Sequence, residues 1–301
     1  MHSQVAWITG ASTGIGAATA LKLAEEGWTV AVTARTAGKL DILCDKDPKF
    51  LKSYPGDVTN QKKMREIVER IEKDHGPIDL AIFNAGTYVG HHIEEFTAES
   101  FAKQMEINVI GVGNCLDPIA EKFLERKRGH IAITSSIAGY RGLPRSIGYS
   151  ASKSALINMA ESLAIETYGS NIKVQVINPG FVRTPLTDKN DFEMPMLMEV
   201  DDAAEALVKG LKSNRFEINF PWIFCNFTRM VGWLPDKLYF WLMKRIKDKR
   251  APYQPPENND VDEAKTETDE KPEQSKKPKK KSPKKSKKND KAGGKNAAKA
   301  A

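Results

Sequence analysis

Three features of the 301-residue sequence predict an α/β fold built on one doubly wound parallel sheet of about seven strands. Short apolar runs alternate with amphipathic stretches of helical length through residues 1–220. A glycine cluster joins the first apolar run to the first helix, at the kind of junction where such sheets bind ligands. After residue 250 apolar side chains almost vanish, so the folded part should end there.

Val5 to Ile8 is the first strand, and a helix follows from about Ile15 to Glu26. Thr29 to Thr33 leads into a helical stretch around Gly38 to Cys44. Phe50 to Tyr54 precedes a helix from Gln61 to Lys73, and Ile78 to Phe83 precedes a long helical region from about Ala98 to Arg126. Ile131 to Thr134 is followed by a helix from Tyr149 to about Tyr168, which meets no proline or glycine before Gly169. Val174 to Ile177, a helix from Asp201 to Leu211 and Phe216 to Phe220 complete the series. Strands separated by helices of this length pair in parallel and are covered on both faces.

Three regions follow. Residues 1–220 form the α/β domain. Residues 221–250 are an aromatic, then basic, helical extension packed on or beside it, with Trp222, Phe224, Phe227, Trp233, Tyr239, Phe240 and Trp241 ahead of Lys244, Arg245, Lys247, Lys249 and Arg250. Pro235 marks the start of a final short helix. Such a segment could close a substrate pocket, form an oligomer interface or lie at a membrane surface; core packing and oligomer contact together carry more weight. Residues 251–301 hold 14 lysines and 9 acids, acidic first and then lysine-rich, and are expected to be disordered. The lysine block 276–301 offers a weak contact for anionic surfaces or polyanions, or pairs with its acidic neighbour and aids solubility.

The basic balance, 46 Lys+Arg against 39 Asp+Glu, therefore describes mainly the tail. Cys44, Cys115 and Cys225 are far apart and form no CxxC pair, which suits a reducing compartment and no disulfide or zinc framework. No apolar run of about 18 residues would cross a membrane, so the expected location is cytoplasmic, with peripheral membrane contact left open. The five histidines form no HxxxH pattern, and Ser12 and Ser136 lack a GxSxG elbow. Metal-dependent and serine-hydrolase chemistries have little support.

Tyr149 and Lys153 stand four residues apart and share a helix face. A tyrosine titrates near pH 10, and bringing it to neutral pH requires roughly 4 kcal/mol; a cation one turn away acts in the right direction. Gly10, Gly14 and Gly16, in Thr9-Gly10-Ala11-Ser12-Thr13-Gly14-Ile15-Gly16, let the backbone turn tightly and approach an anion at a helix N-terminus. Alone, such a pair is more often a solvated helix face than a catalytic dyad, and a lone glycine pattern more often a plain turn.

Taken together, Thr9 to Gly16, Asn84-Ala85-Gly86, Ser135-Ser136, Tyr149 to Lys153 and Pro179-Gly180 resemble the motif series of the short-chain dehydrogenase/reductase family over about residues 3–220. The resemblance implies a Rossmann-type fold, a homodimer or homotetramer, and a nicotinamide cofactor held by Gly10, Ser12, Gly14, Ile15, Gly16, Asp57, Val58, Asn84, Ala85, Gly86, Tyr149, Lys153, Pro179, Gly180 and Thr184. Arg35 stands where relatives preferring NAD carry an acid, and a guanidinium there implies NADP(H) over NAD(H). The implied catalytic set is Ser136, Tyr149, Lys153 and Asn108. Ser136 and Tyr149 would hold the substrate oxygen, with Tyr149 moving the proton. Lys153 would depress the tyrosine, and Asn108 would hold a water in the relay to Lys153.

Phe192, Met194, Met196 and Met198 suggest an apolar lid over a hydrophobic ketone, alcohol or acyl group, or else methionines packed into the core. The expected function is hydride transfer between NADP(H) and the carbonyl or alcohol carbon of an apolar small molecule. The alternatives are a non-catalytic dinucleotide-binding protein and an adaptor acting through the lysine-rich tail.

Overall fold

The computed structural model describes residues 4–90, 92–188 and 192–248; the expectations for residues 251–301 lie outside these. Seven parallel strands form one sheet: β1 (Val5–Thr9), β2 (Thr29–Thr33), β3 (Leu51–Ser53), β4 (Ile78–Phe83), β5 (Gly129–Thr134), β6 (Ile172–Pro179) and β7 (Glu217–Phe220). Their spatial order is β3-β2-β1-β4-β5-β6-β7. The order reverses between β1 and β4, and a crevice opens there at the carboxyl ends of the strands.

Side-chain alternation divides the strands between two cores. On one face Val5 and Trp7 of β1 pack with Met64, Ile67 and Ile71 of α3 (Gln61–His75), Cys115, Ile119 and Phe123 of α5 (Gly111–Arg126), and Leu156 of α6 (Ile147–Glu166). On the other, Ala6 and Ile8 meet Leu23 of α1 (Gly14–Glu25), Leu40 of α2 (Ala37–Cys44) and Leu207 of α7 (Val200–Leu211). Each large apolar side chain buried in this way contributes about 1.5–3 kcal/mol. Trp7 is fully enclosed, and its indole N–H donates to Thr33 Oγ1 at 2.9 Å.

The seven-strand parallel sheet is the expected one. Three local features differ from the sequence reading. The single helix expected over 98–126 is α4 (Ala98–Met105), a π-helical turn at Glu106–Ile110, and α5; a π turn carries an extra residue and often marks a functional position. The helix holding Tyr149 begins two residues earlier, at Ile147. Residues 222–248 form two helices, α8 (Trp222–Gly232) and α9 (Asp236–Asp248), of which only the second was delimited. α8 carries apolar side chains on its inner arc (Phe224, Cys225) and on its exposed arc alike, so its pattern does not separate a buried face from a solvent face. Among the described residues no helix is long and apolar enough to cross a membrane.

Candidate active site

A cleft of ≈ 530 Å³ runs across the carboxyl ends of the central strands, within the size range of cofactor sites. At its base β1 turns into α1 through Gly10, whose φ is +65°. A Cβ on Gly10 would lie 2.6 Å from the Ala85 backbone, and one on Gly16 would lie 2.5 Å from the Gly10 carbonyl oxygen and 2.6 Å from Asn84 Nδ2. Two strand ends therefore approach too closely for any side chain. Thr9 fastens them: its Oγ1 accepts from the backbone N–H of Asn84 at 3.1 Å and of Ala85 at 3.2 Å, while Asn84 Nδ2 donates to the Gly10 carbonyl at 3.2 Å. The resulting floor is bare backbone beside a helix N-terminus, which fits the phosphates of a dinucleotide.

All the expected cofactor contacts line this cleft except Gly16, which lies buried beneath its floor. Arg35 is exposed at the rim, beside Thr36 and Lys39. Asp57 lines the wall and also caps its own turn, Oδ1 accepting from the N–H and hydroxyl of Thr59, each at 3.0 Å. Thr184 meets Gly14 from the opposite loop and is braced by Thr187.

At the other end of the cleft β5 delivers two serines. Ser135 Oγ donates to the Lys153 carbonyl at 2.7 Å, whereas Ser136 turns toward the Tyr149 phenol, as strand alternation predicts. Lys153 Nζ is buried, donates to the Thr134 carbonyl at 2.9 Å and stands 5.6 Å from the Tyr149 ring centre. Burial lowers this ammonium to about 8 because a charge out of water is disfavoured. Burial likewise raises the Tyr149 phenol to about 12, opposed in part by its hydrogen bond with Ser136, while nearby Tyr88 adds to the rise. The expected depression of the phenol is thus not met in the protein alone: desolvation outweighs the Ser136 hydrogen bond that opposes it.

Asn108, at the middle of the π turn, is fully enclosed. Its Oδ1 accepts from the Thr87 N–H at 2.7 Å, and Nδ2 donates to the Thr87 carbonyl at 3.0 Å and to Ser152 Oγ at 2.9 Å. The side chain thereby ties the loop segment following Gly86 to the helix that carries Tyr149 and Lys153. A Cβ on Gly86 would lie 3.4 Å from Asn108 Oδ1 and 3.5 Å from Lys153 Nζ, so these groups form one cluster.

A second chamber, ≈ 90 Å³, shares Ser136 and Tyr149 with the cleft and is walled by Ile137, Leu143, Phe181, Leu186 and Phe192. The lid expectation divides here. Phe192 stacks edge-on to Phe181 at 5.7 Å, while Met198 packs against the core and Met196 is half exposed; the methionines do not line the chamber. Lys39, Leu186 and Thr187 are lining residues the sequence reading missed, and nothing in their local sequence marks them.

A sequence model described as short chain dehydrogenase matches residues 4–194. A protein of Myxococcus xanthus described as an uncharacterized oxidoreductase is 35% identical over 250 residues, covering 82% of this chain and 99% of that protein. A 3-ketodihydrosphingosine reductase of Bacteroides thetaiotaomicron is 35% identical over 216 residues, 70% of this chain and 76% of that protein. Among solved structures, a short-chain dehydrogenase from Streptomyces avermitilis superposes with a TM-score of 0.71 at 25% identity, over 82% of this chain and 97% of that one.

Proposed function

The chain belongs to the short-chain dehydrogenase family of oxidoreductases, and from that premise we propose that it interconverts an apolar carbonyl compound and its alcohol with NADP(H). One observation carries the reading: Ser136 and Tyr149 face both the dinucleotide cleft and the apolar chamber. A nicotinamide dinucleotide bound in the cleft supplies or receives the hydride. Ser136 and Tyr149 then hold the substrate oxygen, and Tyr149 gives up its proton as negative charge develops there. A phenol near 12 stays protonated at neutral pH and so starts reduction in the donor form. Lys153, charged below about 8, would steady the phenolate that remains and, lining the same cleft, would hold the ribose hydroxyls of the bound dinucleotide. Asn108 keeps the Thr87 backbone and Ser152 in register behind Lys153.

For the nucleotide, two cations at the rim of the cleft, Arg35 and Lys39, support NADP(H), because guanidinium–phosphate pairs are strong and directional. Arg35→Asp should weaken NADPH binding at least about tenfold and leave NADH nearly unchanged; an unaltered preference would assign the phosphate to another group. For the substrate, the chamber walls are aromatic and aliphatic, and a relative is named for its action on a keto-lipid. The test is NADPH oxidation across ketones of graded chain length. Tyr149→Phe should retain cofactor binding and lose about 10²–10⁴ in turnover. A variant as active as the parent would sink the assignment of Tyr149, and a parent that binds NADPH and reduces nothing in the panel would favour a non-catalytic dinucleotide-binding protein.

A further inference from the structure

The aromatic extension is not core. Cys225 and Tyr239 are buried and Phe224 lies against Phe181 at 5.8 Å, but most of the other large side chains of α8 and α9 are exposed, Val231, Leu242 and Met243 being half-buried. Trp222, Ile223, Phe227, Met230 and Trp233 are all more than half exposed, Trp233 at 79%. At 3.6 residues per turn these five fall within one arc of about 140° on α8, opposite Phe224 and Cys225. On α9 the exposed residues are Asp236, Lys237, Leu238, Phe240, Trp241, Lys244, Arg245, Ile246 and Lys247, and all but Ile246 fall within about 200° of arc. Rings and cations interleave there, and the Arg245 guanidinium stacks 3.9 Å over Trp241.

This surface is held firmly in place. Arg141, in the loop after β5, donates to the carbonyls of Gly232 at 2.8 Å and Leu234 at 2.6 Å, pairs with Asp236, and stacks 4.0 Å from the Tyr239 ring. The Tyr239 hydroxyl donates to the Gly142 carbonyl at 2.7 Å. Exposing five aromatic rings on fixed helices costs a water-soluble protein on the order of 500 Å² of apolar surface, which demands an occupant.

Charge selects that occupant. From Trp222 to Lys247 there are five lysines and arginines and one acid, Asp236, which is committed to Arg141. The core of a protein interface is depleted in lysine. Trp and Phe alternating with Lys and Arg instead suit the headgroup level of a bilayer, where rings enter the acyl boundary and cations meet phosphates. We infer that α8 and α9 dock this protein on an anionic phospholipid surface, monotopically and without a spanning helix. Phe224 and Phe181 connect the inner side of α8 to the apolar chamber. If that chamber is the substrate site, a consequence resting on the reading above, the docked orientation sets it close to the membrane.

The experiment uses the full chain and vesicles of phosphatidylcholine, with or without about a third phosphatidylglycerol, one set brominated on the acyl chains. Trp222, Trp233 and Trp241 are exposed reporters, and residues 251–301 contain no tryptophan. Anionic vesicles should therefore blue-shift the emission, and brominated chains should quench it. Ile223→Ser/Phe227→Ser/Met230→Ser keeps the reporters and should weaken partitioning at least about tenfold. Lys244→Gln/Lys247→Gln, a separate surface change, should reduce the preference for anionic over neutral vesicles. NADPH binding by each variant checks that it is folded, independently of turnover. Sedimentation with vesicles but no quenching would assign binding to the lysine-rich tail and overturn the proposal. So would self-association abolished by the triple substitution in a chain that ignores vesicles, since the occupant would then be a second copy.

Discussion

At Lys153 burial opposes the catalytic role proposed for it. The pocket that places its ammonium behind Tyr149 also strips it of water, and its ionisation falls to about 8. Below that pH the group is charged and can steady a phenolate; above it the charge is lost. kcat/KM for the cofactor reports ionisations of the free protein, so it should fall on the alkaline side of pH about 8. Lys153→Arg, whose cation does not titrate in this range, should be slower yet lose that limb. A parent profile flat through pH about 9 would show that Lys153 keeps its proton by some other means. The residues of this cluster were legible in the sequence because their spacing is local: Tyr149 and Lys153 share a turn, and Ser136 follows directly on the strand before them. Lys39 and Thr187 were not, since a surface lysine on α2 and a loop threonine acquire their position only from the tertiary fold.

Elements were legible where one face differs from the other. α3 and α7 alternate charged and apolar residues, and both were placed within a turn of their observed ends. The π turn at Glu106–Ile110 left no trace, because a change in hydrogen-bond register alters no side-chain pattern. α8 escaped for the opposite reason, having apolar side chains on both its inner and outer arcs. The β1–α1 junction shows how tightly one element can constrain a single position. Gly16→Ala would force a Cβ to within 2.5 Å of the Gly10 carbonyl and 2.6 Å of Asn84 Nδ2, and backbone cannot move aside as a flexible side-chain end can. The expected cost is about 1–3 kcal/mol, with cofactor affinity falling alongside as the cradle opens. Gly113→Ala, on α5 with nothing within 4 Å, should instead stabilise by about 0.5–1 kcal/mol through helix propensity. Chemical denaturation of the two variants gives opposite signs if the close approach is real, and equal, small shifts if it is not.

For the whole molecule, the sheet ties stability to pH through a group far from the chemistry. His130 of β5 sits opposite Lys173 of β6, its Nε2 2.8 Å from Gln175 Oε1. Gln175 Nε2 donates in turn to the carbonyls of Gly210, Ser213 and Arg215, so one side chain joins two central strands to the turn after α7. Burial lowers the imidazole to about 4, with Lys173 adding to the fall and the Gln175 hydrogen bond opposing it. An unfolded histidine takes its proton near pH 6.5. Between about 6.5 and 4 the unfolded chain therefore binds more protons than the folded one, and stability must fall as the pH is lowered through that window. Above about 6.5 both states are neutral here and the contribution is complete; near 4 it is gone. Allowing for the ring's partial exposure, the loss should be on the order of 2 kcal/mol. Carboxylates also titrate in this range, so the decisive quantity is a difference. The urea midpoint should drop less between pH about 7 and about 4.5 for His130→Gln, which cannot take a proton, than for the parent. Parallel losses in the two proteins would place the acid sensitivity among the carboxylates instead.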